Sequence, residues 1–337
     1  MKRLLPVLAG MMLLLSACGG RSDLSTLKPQ GPVAQGQYDL MVLSISIMAL
    51  VVVVVFAICF YVLIRFRRRK GDNAIPKQVE GNHKLEITWT VIPIVLLIIL
   101  GVPTIDKVFG YAKDYSHDKN AVQVVVTSHQ YWWEFEYPQY GITTAQDLVV
   151  PTGKKIQFKL ASADVKHSFW IPSIGGKMDT NTGVDNKMFL EFPKEGVYRG
   201  KCAELCGPSH SLMDFKAKAV DQASFDRWVA AMKGPGVLPE DASIKEAFQS
   251  KCLSCHAIGE QNSGAGAPNL TGIGGRETVG GILYNSDHPA EENLKEWIKD
   301  PQSVKPGATM PNADDLGVTQ EELDGIAKYL AGYKLDY

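Results

Sequence analysis

The sequence has little of what would mark a nucleic-acid-binding or a disulfide-stapled protein. Its 35 lysines and arginines are offset by 36 aspartates and glutamates, so no basic excess points to a nucleic-acid partner. Cysteine is scarce, six in 337 residues, and four of the six fall in two tight clusters, each beside a histidine, which favours metal or cofactor chemistry over a disulfide framework. Beyond the first third of the chain no apolar run is long enough to cross a bilayer, so the average composition hides a membrane portion and a polar remainder. The length allows two or more domains of ~150 residues each.

What is present begins with a targeting signal. MKRLLPVLAGMMLLLSACGG joins a basic start, a short apolar stretch and small residues ahead of a cysteine, and reads as a signal peptide over residues 1–17. An uncleaved anchor is the alternative, disfavoured because the apolar run is too short to span. Leu15-Ser16-Ala17-Cys18 resembles the bacterial lipoprotein cleavage site, which makes Cys18 the expected lipid attachment point outside the cytoplasm. Two longer apolar segments follow, at 39–64 and 85–105, each meeting the ~20 residues needed to cross a bilayer. Between them RFRRRK carries five basic residues, which fixes that loop on the cytoplasmic side and brings everything from about Tyr111 onward out of the cell. Cys59, inside the first span, reads as a packing residue.

Residues 111–233 alternate like short strands, rich in Val, Phe, Tyr and Trp and broken by Pro and Gly, which predicts a β-sandwich or barrel. Phe225, Trp228, Val229 and Met232 then recur at helical spacing, the packing face of a closing helix. Near the end of the strands lies KCAELCGPSHSLM, residues 201–213, a loop between two predicted strands. Thiolate, imidazole and thioether together select copper over hard cations. A mononuclear blue-copper site needs one cysteine, whereas Cys202 and Cys206 at C-x3-C spacing allow both sulfurs to bridge two ions, with one histidine for each. His210 is one. His117, His129 and His167 are candidates for the other, and His167 is favoured because it follows a turn and opens a strand. A closed zinc site or a Cys202–Cys206 disulfide are the rivals; zinc leaves Met213 unexplained.

HSFWIPSIGGKMDT followed by CAELCGPSHSLM, behind two membrane spans, closely resembles subunit II of the haem-copper cytochrome c oxidases over roughly residues 37–220. The resemblance implies a cupredoxin sandwich holding the two-copper CuA centre, with Cys202 and Cys206 as bridging thiolates, His167 and His210 as imidazole ligands, Met213 as thioether ligand and Glu204 as a ligand through its backbone carbonyl. It also implies that the Glu204 side chain reaches a magnesium ion at the interface with subunit I, and that Glu86, in KLEITWTVIP, is associated with proton uptake; a headgroup-facing acid is the alternative for Glu86. HQYWWEFEY resembles the family's HQWYWSYEY, whose first tryptophan accepts electrons from cytochrome c. Tyr131 stands in that place here, and Trp132 and Trp133 are either part of the same electron-accepting patch or sandwich packing.

After GPGVLPEDA, read as a flexible tether, Cys252-Leu253-Ser254-Cys255-His256 has the C-x-x-C-H spacing of c-type haem attachment, two thioethers to the porphyrin and an imidazole to the iron. A thioredoxin-like motif is the rival, but no βαβ pattern surrounds it. Downstream, Met310 and His288 are the candidates for the sixth ligand. Met310, in KPGATMPN between two helical segments, is preferred because Met ligation raises the iron's potential, as a donor to copper requires. The terminal helix opens with a capping box, Thr319 to Glu322. This region resembles class I cytochrome c, and the fusion resembles the caa-type oxidases.

The expected layout is a signal peptide (1–17), a lipidated N-terminus and two-helix transmembrane hairpin (18–110), an all-β cupredoxin domain (111–233), a linker (234–242) and an all-α cytochrome c domain (243–337). The implied function is electron transfer from a donor, cytochrome c or a membrane-bound cytochrome c/quinol-oxidising complex, through haem c and copper to the oxygen-reducing, proton-pumping subunit I in a bacterial plasma membrane. This chain lacks the histidine-rich membrane helices that oxygen chemistry would need. A copper-containing nitric oxide reductase subunit and a membrane-tethered copper chaperone are the rival readings, the second weakened by the haem motif.

Overall fold

The computed structural model describes residues 22–68, 71, 75, 77–259 and 266–337. The signal peptide, Cys18 and residues 69–70, 72–74 and 76 of the basic loop lie outside the described residues. The chain divides into two compact units, 35–113 and the remainder. The first holds two long helices, α1 (Pro32–Arg65, whose first turn belongs to the other unit) and α2 (His83–Tyr111). Asn82 caps α2, its side chain accepting from the N–H groups of Lys84 and Leu85 at 3.1 and 3.3 Å. Both helices outrun the apolar segments: helical hydrogen bonding continues until a cap or a competing partner ends it, whereas hydropathy marks only the part fit for lipid. Their apolar side chains point outward, Val53 being 66% and Leu97 67% exposed, as a surface solvated by acyl chains requires.

The second unit contains a sandwich of two five-stranded sheets. One runs β3 (Ile142–Ala145), β2 (Trp132–Tyr137), β1 (Val122–His129), β5 (Lys155–Ser162), β8 (Asn186–Glu191). The other runs β4 (Asp147–Pro151), β10 (Asp214–Val220), β9 (Gly196–Cys202), β6 (His167–Trp170), β7 (Met178–Thr180). Strand β1 shows the cause plainly: Val122, Val124, Val126 and Ser128 are buried while the residues between them are not, one face for each sheet surface. Trp133, Phe135, Phe158, Phe169 and Phe215 are fully buried between the sheets, and the Phe169 and Phe215 rings stack with centroids 4.9 Å apart. Gly200 on β9 lies against the Phe215 ring, with no room for a Cβ. Helix α3 (Gln222–Met232), capped by Asp221, buries Phe225, Trp228, Val229 and Met232, the face its spacing predicts.

The C-terminal domain gathers α4 (Ala242–Lys251), α5 (Ala290–Lys299) and α6 (Gln320–Gly332) around Phe248, Leu294, Ile298, Leu323, Ile326 and Leu330. The Thr319–Glu322 capping box forms at the start of α6. A two-residue hairpin pairs Thr278–Val279 with Leu283–Tyr284, an addition to the expected all-helical pattern. The linker also departs from expectation. Pro235 bridges Gly259, the Tyr329 hydroxyl donates to Val237 O, and Leu238 packs on the helical core, so residues 235–238 are an arm of the C-terminal domain and not a free tether. Leu238 is the apolar side chain that docks; Val237 stays 61% exposed and is held through its carbonyl.

Candidate metal centre and haem cavity

Strands β9 and β10 pair antiparallel with Lys201 opposite Asp214, and their connection is the cysteine loop itself. Cys202 ends β9, Met213 precedes β10, and its N–H and C=O bond His210 O and Cys202 N. Strand β6 pairs with β9 so that Phe169 sits opposite Cys202, which brings His167, buried at the start of β6, alongside the loop. The Sγ atoms of Cys202 and Cys206 are 3.8 Å apart. His167 Nδ1 is 3.8 Å from Cys202 Sγ, His210 Nδ1 3.6 Å from Cys206 Sγ, Met213 Sδ 3.8 Å from Cys206 Sγ, and Glu204 O 3.2 Å from Cys202 Sγ. Two sulfurs at the centre with a nitrogen on either side are a soft donor set of the kind copper takes, and the paired sulfurs suit a shared role between two ions.

The electrostatics agree. A hydrogen bond from Cys206 holds the Cys202 thiol far below its usual range, with His167 helping, while the same bond pushes Cys206 up. Opposite shifts of this kind favour a thiolate on Cys202 beside a thiol on Cys206, and a bound cation would favour the thiolate on both. The His167 Nε2–H donates to Asp164 Oδ1 at 2.8 Å, which fixes the tautomer and leaves Nδ1 as the lone pair toward the sulfurs. Asp164 also accepts from Gln130 N and Val165 N; burial raises its pKa, but these bonds outweigh it and leave the carboxyl below its ordinary value. Asp164 and Gln130, whose side chain donates to Cys206 O, escaped the sequence reading. The i,i+3 spacing of Asp164 and His167 was the available signal.

Of the other histidines, His117 is exposed in the connection before β1, and His129 stacks on Trp132 at 4.1 Å. The Glu204 carboxylate points outward, 3.6 Å from Lys177 Nζ. Trp133 is sandwich core, packed on Phe169 and Phe215. Tyr131, by contrast, is only 4% exposed and lies between two loops: a Cβ at Gly207 of the cysteine loop would clash with its hydroxyl, and one at Gly307 of the C-terminal domain would sit 3.2 Å from its ring. Glu86 stands in the first turn of α2.

In the C-terminal domain Cys252, Cys255, His256 and Met310 line one cavity of about 390 Å³. The His256 Nδ1–H donates to Pro268 O at 2.7 Å, leaving Nε2 with the lone pair, and burial lowers its pKa, which favours the neutral ring an iron ligand needs. His288 is exposed and takes no part in the cavity. Mostly apolar walls, two thiols, a neutral imidazole and a thioether fit a covalent haem. The copper-side residues Gln130, Tyr131 and Trp132 complete the wall.

Comparison with known proteins decides the family. The family model described as "Cytochrome C oxidase subunit II, periplasmic domain" matches residues 141–220, "Cytochrome C oxidase subunit II, transmembrane domain" residues 26–106, and "Cytochrome c" residues 242–334. Over 340 residues the chain is 47% identical to cytochrome c oxidase subunit 2 of Alkalihalophilus pseudofirmus, with 99% of this chain and 97% of that one covered. The chain belongs to the cytochrome c oxidase subunit 2 family. It is 53% identical to the subunit 2 of Bacillus sp. (strain PS3), covering 98% and 97% of the two chains, and 48% identical to that of Bacillus subtilis (strain 168), covering 99% and 98%. It is therefore a membrane-located subunit of an oxidase complex, with an electron-transfer role, a copper domain and a C-terminal cytochrome c domain.

Proposed function

We propose that this chain takes electrons on the extracytoplasmic side of a bacterial plasma membrane from a cytochrome c or a cytochrome c/quinol-oxidising complex, and delivers them in series, through its C-terminal and then its copper domain, to a haem-copper subunit I that reduces oxygen and pumps protons. The haem and the copper pair, when bound, supply the one-electron chemistry. Cys252 and Cys255 would anchor the haem covalently, and His256 and Met310 would be its iron ligands. Cys202, Cys206, His167, His210, Met213 and the Glu204 carbonyl would hold a pair of copper ions, the two thiolates shared between them. The Glu204 carboxylate holds magnesium at the subunit I interface, Glu86 serves proton uptake, and Cys18 carries a lipid.

The observation that carries the serial route is the burial of Tyr131. The position at which a soluble donor would reach the copper directly is covered by the Gly307 loop of the cytochrome c domain, and its neighbours wall the cavity that contains His256. Oxidase turnover against ionic strength, with and without residues 234–337, tests it. Truncation is expected to leave the copper spectrum intact, cut turnover with the natural donor severely, and leave a weaker, more salt-sensitive activity with soluble cytochrome c, since encounter then relies on screened charge steering. Equal rates and equal salt slopes for both forms would refute it.

A further inference from the structure

Lys305 has no part in the reading above, yet it is one of the most deeply buried side chains of the molecule, 2% exposed. Lysine is almost never buried so fully unless it is paired. Burial pulls its pKa down to about 7, Lys216 pulling the same way and Asp214 and Cys206 opposing. Its amino group spans two domains: Nζ donates to Gly280 O of the cytochrome c domain at 2.6 Å and to Tyr131 O of the copper domain at 2.8 Å. The Trp297 ring lies 6.0 Å away on the cavity side.

The residues after Lys305 make the seam continuous. Ser209, beside His210 in the cysteine loop, donates its hydroxyl to Pro306 O at 2.6 Å, and Gly307 packs on the Tyr131 ring. Five residues on from Lys305 is Met310, at the cavity. The copper domain answers with its own cation, Lys216, 1% exposed, whose Nζ is 3.5 Å from Gly281 O and 4.9 Å over the Tyr284 ring. Buried amino-to-carbonyl bonds of this kind hold a pose without partner carboxylates and are screened little by salt, unlike a docking patch of surface charges.

We propose that Lys305 is the positioning residue of the interdomain electron step: by tying Gly280 to Tyr131 it clamps the 305–310 loop, which carries Met310, onto the 206–210 loop, which carries Cys206 and His210. The inference rests on the serial route. One electron passes from reduced haem c to the oxidised copper pair; no atom or proton is transferred, and Lys305 is neither oxidised nor reduced.

The test uses the intact oxidase complex. One electron is injected into haem c by a light-triggered reductant, and the haem and copper absorbances are followed with time. Lys305→Met, which keeps the aliphatic stem and removes the donors, is expected to leave both spectra and the haem potential unchanged, to slow haem-to-copper transfer roughly tenfold or more through loss of the two Nζ hydrogen bonds, and to make the rate fall with added viscogen as the loops redock. Wild-type rate without viscosity dependence, with both spectra intact, overturns the clamp. If the wild-type complex itself transfers no electron from haem to copper, the serial route fails and the clamp with it. Should Lys305→Met not retain haem, Lys216→Met on the copper side is read in its place: slowing with viscosity dependence supports the clamped seam, and an unchanged rate overturns it.

Discussion

Replacing Asp164 by Asn isolates what one side chain behind His167 contributes to the copper centre. The carboxylate is 2.8 Å from His167 Nε2 and accepts two backbone N–H groups as well, from Gln130 and Val165. Asparagine keeps an acceptor oxygen where Oδ1 meets His167 and Val165, but sets an NH2 where Oδ2 accepts from Gln130 N–H, so that loop bond is lost together with the negative charge that makes the imidazole a better donor toward metal. A charge-assisted hydrogen bond contributes about 1.5–3 kcal/mol net, roughly half of which is the part that depends on charge. About 1.4 kcal/mol is a factor of ten, so copper affinity is expected to fall by roughly tenfold, within the tenfold to hundredfold that such outer partners of a metal ligand are worth. Competition titration of the copper-depleted chain against a chelator, read by the copper absorbance and electron spin signal, measures it directly. Asp164→Ala, which removes every acceptor at once, should cost more. The linkage has a definite sign: the folded carboxyl value is lowered, so the wild-type advantage is present above its unfolded value near ~4 and disappears as the pH falls through the folded one. An affinity unchanged within twofold in Asp164→Asn, with the fold intact, would refute the orienting role.

A reconstituted chain should bind two copper ions, and Cys206→Ser should abolish the mixed-valence spectrum, because one sulfur cannot bridge two ions symmetrically; one copper per wild-type chain by metal analysis contradicts the assignment. Met310→Ala should retain covalent haem while lowering its potential and opening the iron to added ligands, whereas His288→Ala should do neither; the reverse pattern in redox titration and cyanide binding would exchange the two. Phe215→Ala, which empties the stack with Trp133, Phe135 and Phe169, should destabilise the copper domain by about 3–5 kcal/mol in chemical unfolding, and a loss below ~1 kcal/mol would show that the sandwich refills the space.

The sequence by itself determined the parts. Two apolar segments, an alternating β region, a helical tail with its capping box, the C-x3-C loop and the C-x-x-C-H motif were all legible, because each is a local pattern: a period of 2 or 3.6, a run length, a spacing of ligands within one loop. His167 could be favoured for opening a strand, but the distance that joins it to Cys202 depends on β6 pairing with β9, a contact across 35 residues of chain. Asp164 was silent for the same reason, since its value comes from the histidine it reaches. The membrane helices run beyond the apolar spans because hydropathy ends before hydrogen bonding does.

Only the tertiary structure decided what lies between the two redox domains. Residues 234–242 have the composition of a flexible tether, yet 235–238 are packed down. Lys305, in KPGATMPN, carries no local sign of burial, yet it is buried against Tyr131 O, 174 residues earlier in the chain. Nothing local encodes such a contact. It arises when two independently patterned domains find carbonyls, glycines and ammonium groups in register, and the desolvation cost of each cation is offset only in the assembled seam.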